Sequence, residues 1–362
     1  MEKKNSKSED KMNSKTLIFS PSYGIWGGGQ IYIEQLCNFL NKNGKESFII
    51  TAEPERFNTR TIKMDIVLSK KKRLLTSIQI AKKYKQEGFK NIILNDLSSL
   101  WLAPIFKFYG FNVIGLLHLY LQKKSKNPLG HSLFEFYLLK NSAKFCDSIF
   151  SVNKDNQKVF GEKVKFIGNY VPEWFFEKEK INQKKYDFII ISRLSKQKNI
   201  PLFLEIFEHL IKKYKKNYKA LIVGEGEEKD NIQKIIKEKK FENYINIEGW
   251  EDRRKLPNKY DLGKVFVISS YHEGFATTLL EAHARGLPAI VTKTSGFCGE
   301  FVESFGEKTG IVFDFKDVQN ENFYKKIISL VEDYHEYEEK CIKKAKIFSE
   351  ENVLRPILEA LK

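Results

Sequence analysis

The stretch KVFVISSYHEGFATTLLEAHARGLPAIVT, Lys264–Thr292, decides how the chain folds. The apolar runs KVFVISS and LPAIVT flank the helical pattern TTLLEAHARG. A strand buried on both faces reads as a continuous apolar run, and two such runs joined by a helix make a parallel βαβ unit. Two carboxylates bracket the start of that helix. Glu273 lies in the loop before it and Glu281 about two turns further on, so that both can face one cleft. Glu281 amid LLEAHA on a buried helix is hard to place without a partner.

Working outward, the same alternation fills the chain. Strands are expected at TLIFS, ESFIIT, MDIVLS, NIILND, NVIGLLH, SIFSVN and VKFIGN in the first half. In the second they are expected at DFIIISR, KALIVGEG, YINIEGW, KVFVISS, LPAIVT and GIVFD. Amphipathic helices separate most of them, and the first, QIYIEQLCNFLNKNG, closes on Gly44 as a helix cap. The charged stretch EKEKINQKK has no apolar period and suits a linker. These features predict a polar, disordered tail over 1–15, a doubly wound α/β domain over 16–176, a linker over 177–185 and a second such domain over 186–345. A carboxyl-terminal helix is expected over 346–362, within a last segment read as helical throughout.

The chain has 362 residues, enough for two cores. Its net charge of +16 is uneven: residues 1–180 carry +13 and residues 181–362 carry +3. Such a field suits nucleic acid or an anionic membrane leaflet, and equally a merely solvated lysine-rich surface. Cys37, Cys146, Cys298 and Cys341 are too dispersed for a zinc site or disulfide framework, which points to a reducing compartment. The first fifteen residues lack the apolar core of a signal peptide. Trp101 to Leu121 has the length of a membrane span, but Pro104, Lys107, Gly110, Asn112 and His118 interrupt it, so a short helix and a buried strand are expected there.

Parallel sheets bind ligands beyond the carboxyl ends of their strands, which directs attention to four loops. GIWGGGQ, Gly24 to Gln30, offers glycines and helix-start amides without the dinucleotide fingerprint spacing. SRLSKQKN puts Arg193 and Lys198 after a strand, where a planar fork and a point charge can hold a diphosphate. In HEGFATTLLE, Gly274, Ala276, Thr277 and Thr278 lead into the helix, and carboxylates there can accept hydrogen bonds from sugar hydroxyls. His118 ends NVIGLLH. No Asp-x-Asp and no His/Cys cluster has metal spacing, leaving cations and helix dipoles to stabilise a diphosphate leaving group.

These residues resemble the retaining glycosyltransferases of family 4. EGFATTLLE followed by AHARGLPAIVT carries the resemblance, with SRLSKQKN, LIVGEGEE, INIEGW and WGGGQ in supporting order. It implies the GT-B fold, two Rossmann-like domains facing a central cleft, with the last helix crossing back to the first. By position, Glu281 would bind the ribose and Glu273 the donor sugar, beside amides of Gly274, Phe275 and Ala276. Arg193 and Lys198 would hold the diphosphate with amides near Thr277 and Thr278. Gly28 and Gly29 would line the sugar and phosphate, His118 would approach the reacting centre, and Gly249 and Trp250 would lie against the base. His118, Glu273, Arg193 and Lys198 form the expected catalytic set, with no metal and no cofactor.

The implied reaction moves a hexose, with retention, from a nucleotide diphosphate sugar, UDP- rather than GDP-linked, to a lipid-linked or saccharide acceptor in cell-surface glycan synthesis. The acceptor would meet the basic first domain. A cytoplasmic location, peripheral on an anionic inner membrane face, follows. GNYVPEWF from Gly168 and Gln30 depart from the family's usual residues, so contacts there do not carry over. A sugar-nucleotide epimerase of the same fold and a basic nucleic-acid-binding protein stand as alternatives. The latter lacks a recognisable motif, and no nucleic-acid partner is expected.

Overall fold

The computed structural model describes residues 14–20, 28–63, 70–118, 120–121, 131–177, 179 and 184–362. By contacts the chain divides into two units: residues up to Gly168 together with Leu354–Lys362, and Asn169–Val353. Both are doubly wound α/β structures built on wholly parallel sheets.

The first unit has seven strands: β1 (Lys15–Phe19), β2 (Ser47–Thr51), β3 (Thr61–Lys63), β4 (Phe89–Asn95), β5 (Asn112–Leu117), β6 (Ser148–Ser151) and β7 (Val164–Phe166). Their order is β3-β2-β1-β4-β5-β6-β7. In register, Ile18 lies beside Ile49 on one side and Ile93 on the other. All three are fully buried, because helices cover both faces of a parallel sheet. The expected strand MDIVLS lies outside the described residues, whereas β3, just before it, was not legible as a strand. Its three residues are half-exposed on the sheet edge and too few to show a period.

The first helix, Gly28–Lys42, starts two residues earlier than expected, so Gly28 and Gly29 belong to its opening turn. The remainder of the glycine loop, 21–27, lies outside the described residues, as do positions 1–13 of the expected tail. Gly44 does cap this helix: its φ of +77° is open to glycine, and Lys45 N donates to Leu40 O at 2.9 Å. The Trp101–Leu121 region contains the helix Ala103–Phe108 and buried β5. Among the described residues no helix is long and apolar enough to cross a membrane.

The second unit has six strands: β8 (Tyr186–Ile191), β9 (Ala220–Val223), β10 (Ile245–Glu248), β11 (Gly263–Ile268), β12 (Ala289–Thr292) and β13 (Gly310–Phe313). Their order is β10-β9-β8-β11-β12-β13. All six match expected strands; five are apolar runs, and β10, INIE, is an alternating edge strand with only Ile245 buried. Residues 178 and 180–183 of the expected linker lie outside the description.

The last segment is three helices rather than one continuous run: Glu321–Glu332, His335–Lys346 and Glu350–Glu359. Residues from Leu354 onward belong to the first unit. There Asn112 Nδ2 donates to Ala360 O at 2.8 Å, and Asn91 Nδ2 to Lys362 O at 3.0 Å. Both asparagines lie toward the amino ends of their strands, opposite the ends where ligands bind.

Candidate functional site

In a doubly wound sheet, neighbouring crossovers leave in opposite directions at the switch point, opening a crevice at the carboxyl ends of the strands. In the second unit that point lies between β8 and β11. The loop after β8 continues into the short turn Lys196–Lys198, and the loop after β11 runs from Ser269 to Ala276. The two are knitted together. Tyr271 N donates to Gln197 O at 2.9 Å, Gln197 Nε2 to His272 O at 2.7 Å and Ser269 Oγ to Lys198 O at 3.0 Å. At the centre Lys198 Nζ is paired with Glu273 Oε1, which also accepts from Ser270 Oγ at 2.7 Å.

Ser192, Lys198, Ser270, Glu273, Ala276 and Thr278 line one small pocket. Arg193 stands exposed on the same loop, while its neighbour Leu194 is fully buried and anchors it. Glycine makes this convergence possible. A Cβ on Gly224 would lie 1.9 Å from Ser192 O and one on Gly226 2.2 Å from Leu194 O, both at positive φ. Gly296, after β12, has φ +52°, and its Cβ would meet Glu273 O at 2.4 Å. No side chain can occupy these positions without parting the loops.

The helix Thr277–Ala284 has no side-chain cap at its start, where Ala276 and Thr278 line the pocket beside the positive end of its dipole. Phe275 before it is an anchor: its ring packs on Phe297, Phe301 and Phe348 at centroid distances of 4.9, 5.2 and 5.1 Å. Ala276 N already donates to Cys298 Sγ at 3.2 Å, leaving Gly274 and the Phe275 backbone as the loop's more available donors.

Glu281 is only 3% exposed, and its partners explain how a helix buries a carboxylate. Arg253 donates to Oε1 from Nε and Nη2, both at 2.8 Å, and Tyr260 Oη donates to Oε2 at 2.9 Å. Burial opposes the charge on Arg253, but the Glu281 carboxylate overcomes it and raises the guanidinium pKa. Burial, then Glu281, holds the Tyr260 hydroxyl well above its ordinary pKa. These hydrogen bonds fix the carboxylate's orientation one turn along the helix from its uncapped start. Gly249 and Trp250 follow β10; a Cβ on Gly249 would meet Glu225 Oε1 at 2.8 Å, and Trp250 presents a ring 74% exposed.

The first unit has its own group at the β1/β4 switch point. Asn95 Nδ2 donates to Ser20 Oγ at 3.3 Å, and His118 Nε2 meets Asn95 Oδ1 at 2.9 Å. The Tyr32 ring lies edge-on to the imidazole at 5.0 Å, and a Cβ on Gly29 would sit 3.7 Å from His118 Cδ2. Burial pushes the His118 pKa below its ordinary value against the pull of Asp96, so the imidazole is neutral near pH 7. A neutral ring donating through Nε2 leaves Nδ1 as an acceptor.

The structure thus brings Gly29 to His118 in one unit, and Lys198 and Glu273 together in the other, with Arg193 exposed on the Lys198 loop and Glu281 buried on the helix Thr277–Ala284. It adds residues that sequence reasoning missed. Asp96 follows β4 with φ +66°, a conformation that an L-residue holds only under constraint. The strand-end rule that singled out His118 also reaches Asp96. Arg253 and Tyr260 carry no such signal, since the fold alone brings them to Glu281 from 28 and 21 residues away.

Residues 173–348 match the family model described as glycosyl transferases group 1. Alpha-monoglucosyldiacylglycerol synthase of Acholeplasma laidlawii is 32% identical over 155 residues, 42% of this chain and 37% of that protein. Poly(glycerol-phosphate) alpha-glucosyltransferase of Bacillus subtilis is 25% identical over 222 residues, 58% of this chain and 31% of that protein. The chain spans about two fifths or less of the length of these curated relatives. Among solved structures, Anabaena HepE in complex with UDP superposes with a TM-score of 0.76 at 16% identity, covering 95% of this chain and 98% of that one. The fold is therefore that of GT-B glycosyltransferases. Residues 173–348 are thus similar to the glycosyl transferases group 1 family.

Proposed function

We propose that the protein is a retaining hexosyltransferase that takes a hexose from a UDP-sugar and passes it to a lipid-linked or saccharide acceptor in cell-surface glycan synthesis. The observation that carries this reading is the β8/β11 switch point. It holds the Lys198–Glu273 pair, Arg193 on the Lys198 loop and an uncapped helix start, with Glu281 one helix turn further on. Arg193 and Lys198 hold the diphosphate with the amides of Thr277 and Thr278; Glu273 accepts from the sugar hydroxyls and Glu281 from the ribose. Trp250 offers its exposed ring to the base.

Lys198 changes partner on binding: a diphosphate draws it from Glu273, freeing that carboxylate for the sugar. In the transfer, the C1–O bond of the donor breaks with its electron pair leaving on the β-phosphate. Charge developing there is met by Arg193, Lys198 and the helix dipole. The acceptor hydroxyl forms the new C1–O bond on the same face and gives its proton to the departing phosphate, so no protein nucleophile is needed. Metal independence is part of the proposal, with these two cations in the role a divalent ion would otherwise fill.

The relatives support the donor and acceptor classes. HepE has been solved with UDP and with UDP-glucose, and the Acholeplasma and Bacillus relatives are named for a glucosylated diacylglycerol and for poly(glycerol-phosphate). The acceptor is assigned to the first unit, whose positive excess suits an anionic leaflet on the cytoplasmic side. A thermal-shift screen of UDP- and GDP-sugars tests the reading, since a ligand specific for the folded state raises its melting temperature. UDP-hexoses are expected to raise it by several degrees and GDP-sugars less; no response to any nucleotide sugar would sink the proposal.

A further inference from the structure

We infer that the outer surface of the first unit's helix layer, centred on the helix Leu133–Ser142, is a docking surface for an anionic lipid bilayer. This rests on the proposed function only for its biological setting, and its physical basis is independent of the donor site. The helix Leu133–Ser142, LFEFYLLKNS, carries apolar residues on its outward side as well as on the side it packs against the core. Only one side is covered: Phe136, Leu139 and Ser142 face the core. Leu133, Phe134, Tyr137 and Leu138, at spacings that put them on the opposite face, are exposed, with Phe134 75% open. Phe145, in the short turn that follows, continues the patch, and these side chains line one shallow apolar depression.

Neighbouring helices extend the surface and supply its charge. The crossovers β3 to β4, β4 to β5 and β5 to β6 all run in one direction, so right-handed connections put their helices on one side of the sheet. The helices Lys70–Gln86, Ala103–Phe108 and Leu133–Ser142 indeed share one core. Outside it, Phe108 is 85% exposed and Leu74 and Leu75 are exposed. The helix Lys70–Gln86 carries seven Lys or Arg and no acidic residue. Lys82 and Lys83 on it are exposed, as are Lys140 and Lys144 beside the patch.

That mixture selects the occupant. Aromatic and leucine side chains spread over three helices and interleaved with lysines match an interface of acyl chains beneath anionic headgroups. A ten-residue helix is too short to span a bilayer and lies in its surface.

Flotation of the full chain with vesicles of phosphatidylglycerol and phosphatidylcholine, against phosphatidylcholine alone, tests the inference. Binding is expected with the anionic vesicles only, weakening as salt rises from 0.05 to roughly 0.5 M. Phe134→Ser with Tyr137→Ser is expected to weaken it about tenfold or more. Lys82→Glu with Lys83→Glu is expected to erase the preference for anionic lipid. Circular dichroism and the UDP-dependent thermal shift should stay unchanged in both variants, showing an intact fold. Undiminished vesicle binding by the folded aromatic variant, no binding by the wild type, or a wild-type dimer that the variant splits would each overturn the inference. A wild type that binds vesicles but shows no nucleotide shift would instead overturn the functional reading alone.

Discussion

The two units share a strand order around the switch point and differ in what they build on it. In the second, the loops after β8, β9, β11 and β12 are drawn together by Gly224, Gly226 and Gly296 and tied by backbone hydrogen bonds. In the first, the corresponding end of the sheet carries a looser polar group, His118, Asn95, Ser20 and Asp96, while charge and exposed apolar surface gather on the helices outside. One topology thus supports a rigid anion cradle in one place and an interaction surface in another, because function lies in the loops and outer faces rather than in the winding.

The difference can be broken at its glycines. Gly226→Ala drives a methyl group into the Leu194 carbonyl at positive φ, and a loss of more than ~4 kcal/mol is expected in urea unfolding, with loss of nucleotide binding. Gly44→Ala in the first unit, with open space around it and φ +77°, should cost only about 1 kcal/mol. Equal effects would mean that the loops are not held as tightly as the geometry requires.

The buried histidines sharpen the comparison. His283, behind the second unit's site, donates to or accepts from Thr309 Oγ1 at 2.9 Å, and burial, helped by Lys344, depresses its pKa to about 3. A histidine that is neutral when folded and titrates normally when unfolded contributes its stability fully above about pH 6.5. That contribution is lost as pH falls toward 3, at a limiting slope of about 1.4 kcal/mol per pH unit. His283→Phe should flatten this acid slope, measured by denaturant unfolding across pH 7 to 4. An unchanged slope would assign the acid sensitivity elsewhere.

Much of the second unit was legible because five of its strands carry buried apolar runs and β10, INIE, alternates as an edge strand does, and the bracket Glu273 to Glu281 sits where a strand-end rule looks. In the first unit, β3 hid because three edge residues show no period, and Asp96 was passed over although it occupies the same kind of position as His118. The partners of Glu281 were out of reach for a different reason. Arg253 and Tyr260 meet it only through tertiary packing, which no local pattern encodes. The odd charge inside LLEAHA was a sound signal of a partner, but not of which one.

The most direct measurement is calorimetric titration of UDP into wild type, Arg193→Ala, Lys198→Ala and His118→Ala. If the second unit's switch point holds the diphosphate, each cation variant should bind UDP about tenfold or more weakly, since a charge-assisted hydrogen bond contributes roughly 1.5–3 kcal/mol. His118→Ala, in the first unit and assigned to the sugar that UDP lacks, should bind it as wild type does. UDP affinity unmoved by loss of Arg193 and Lys198 would contradict the account.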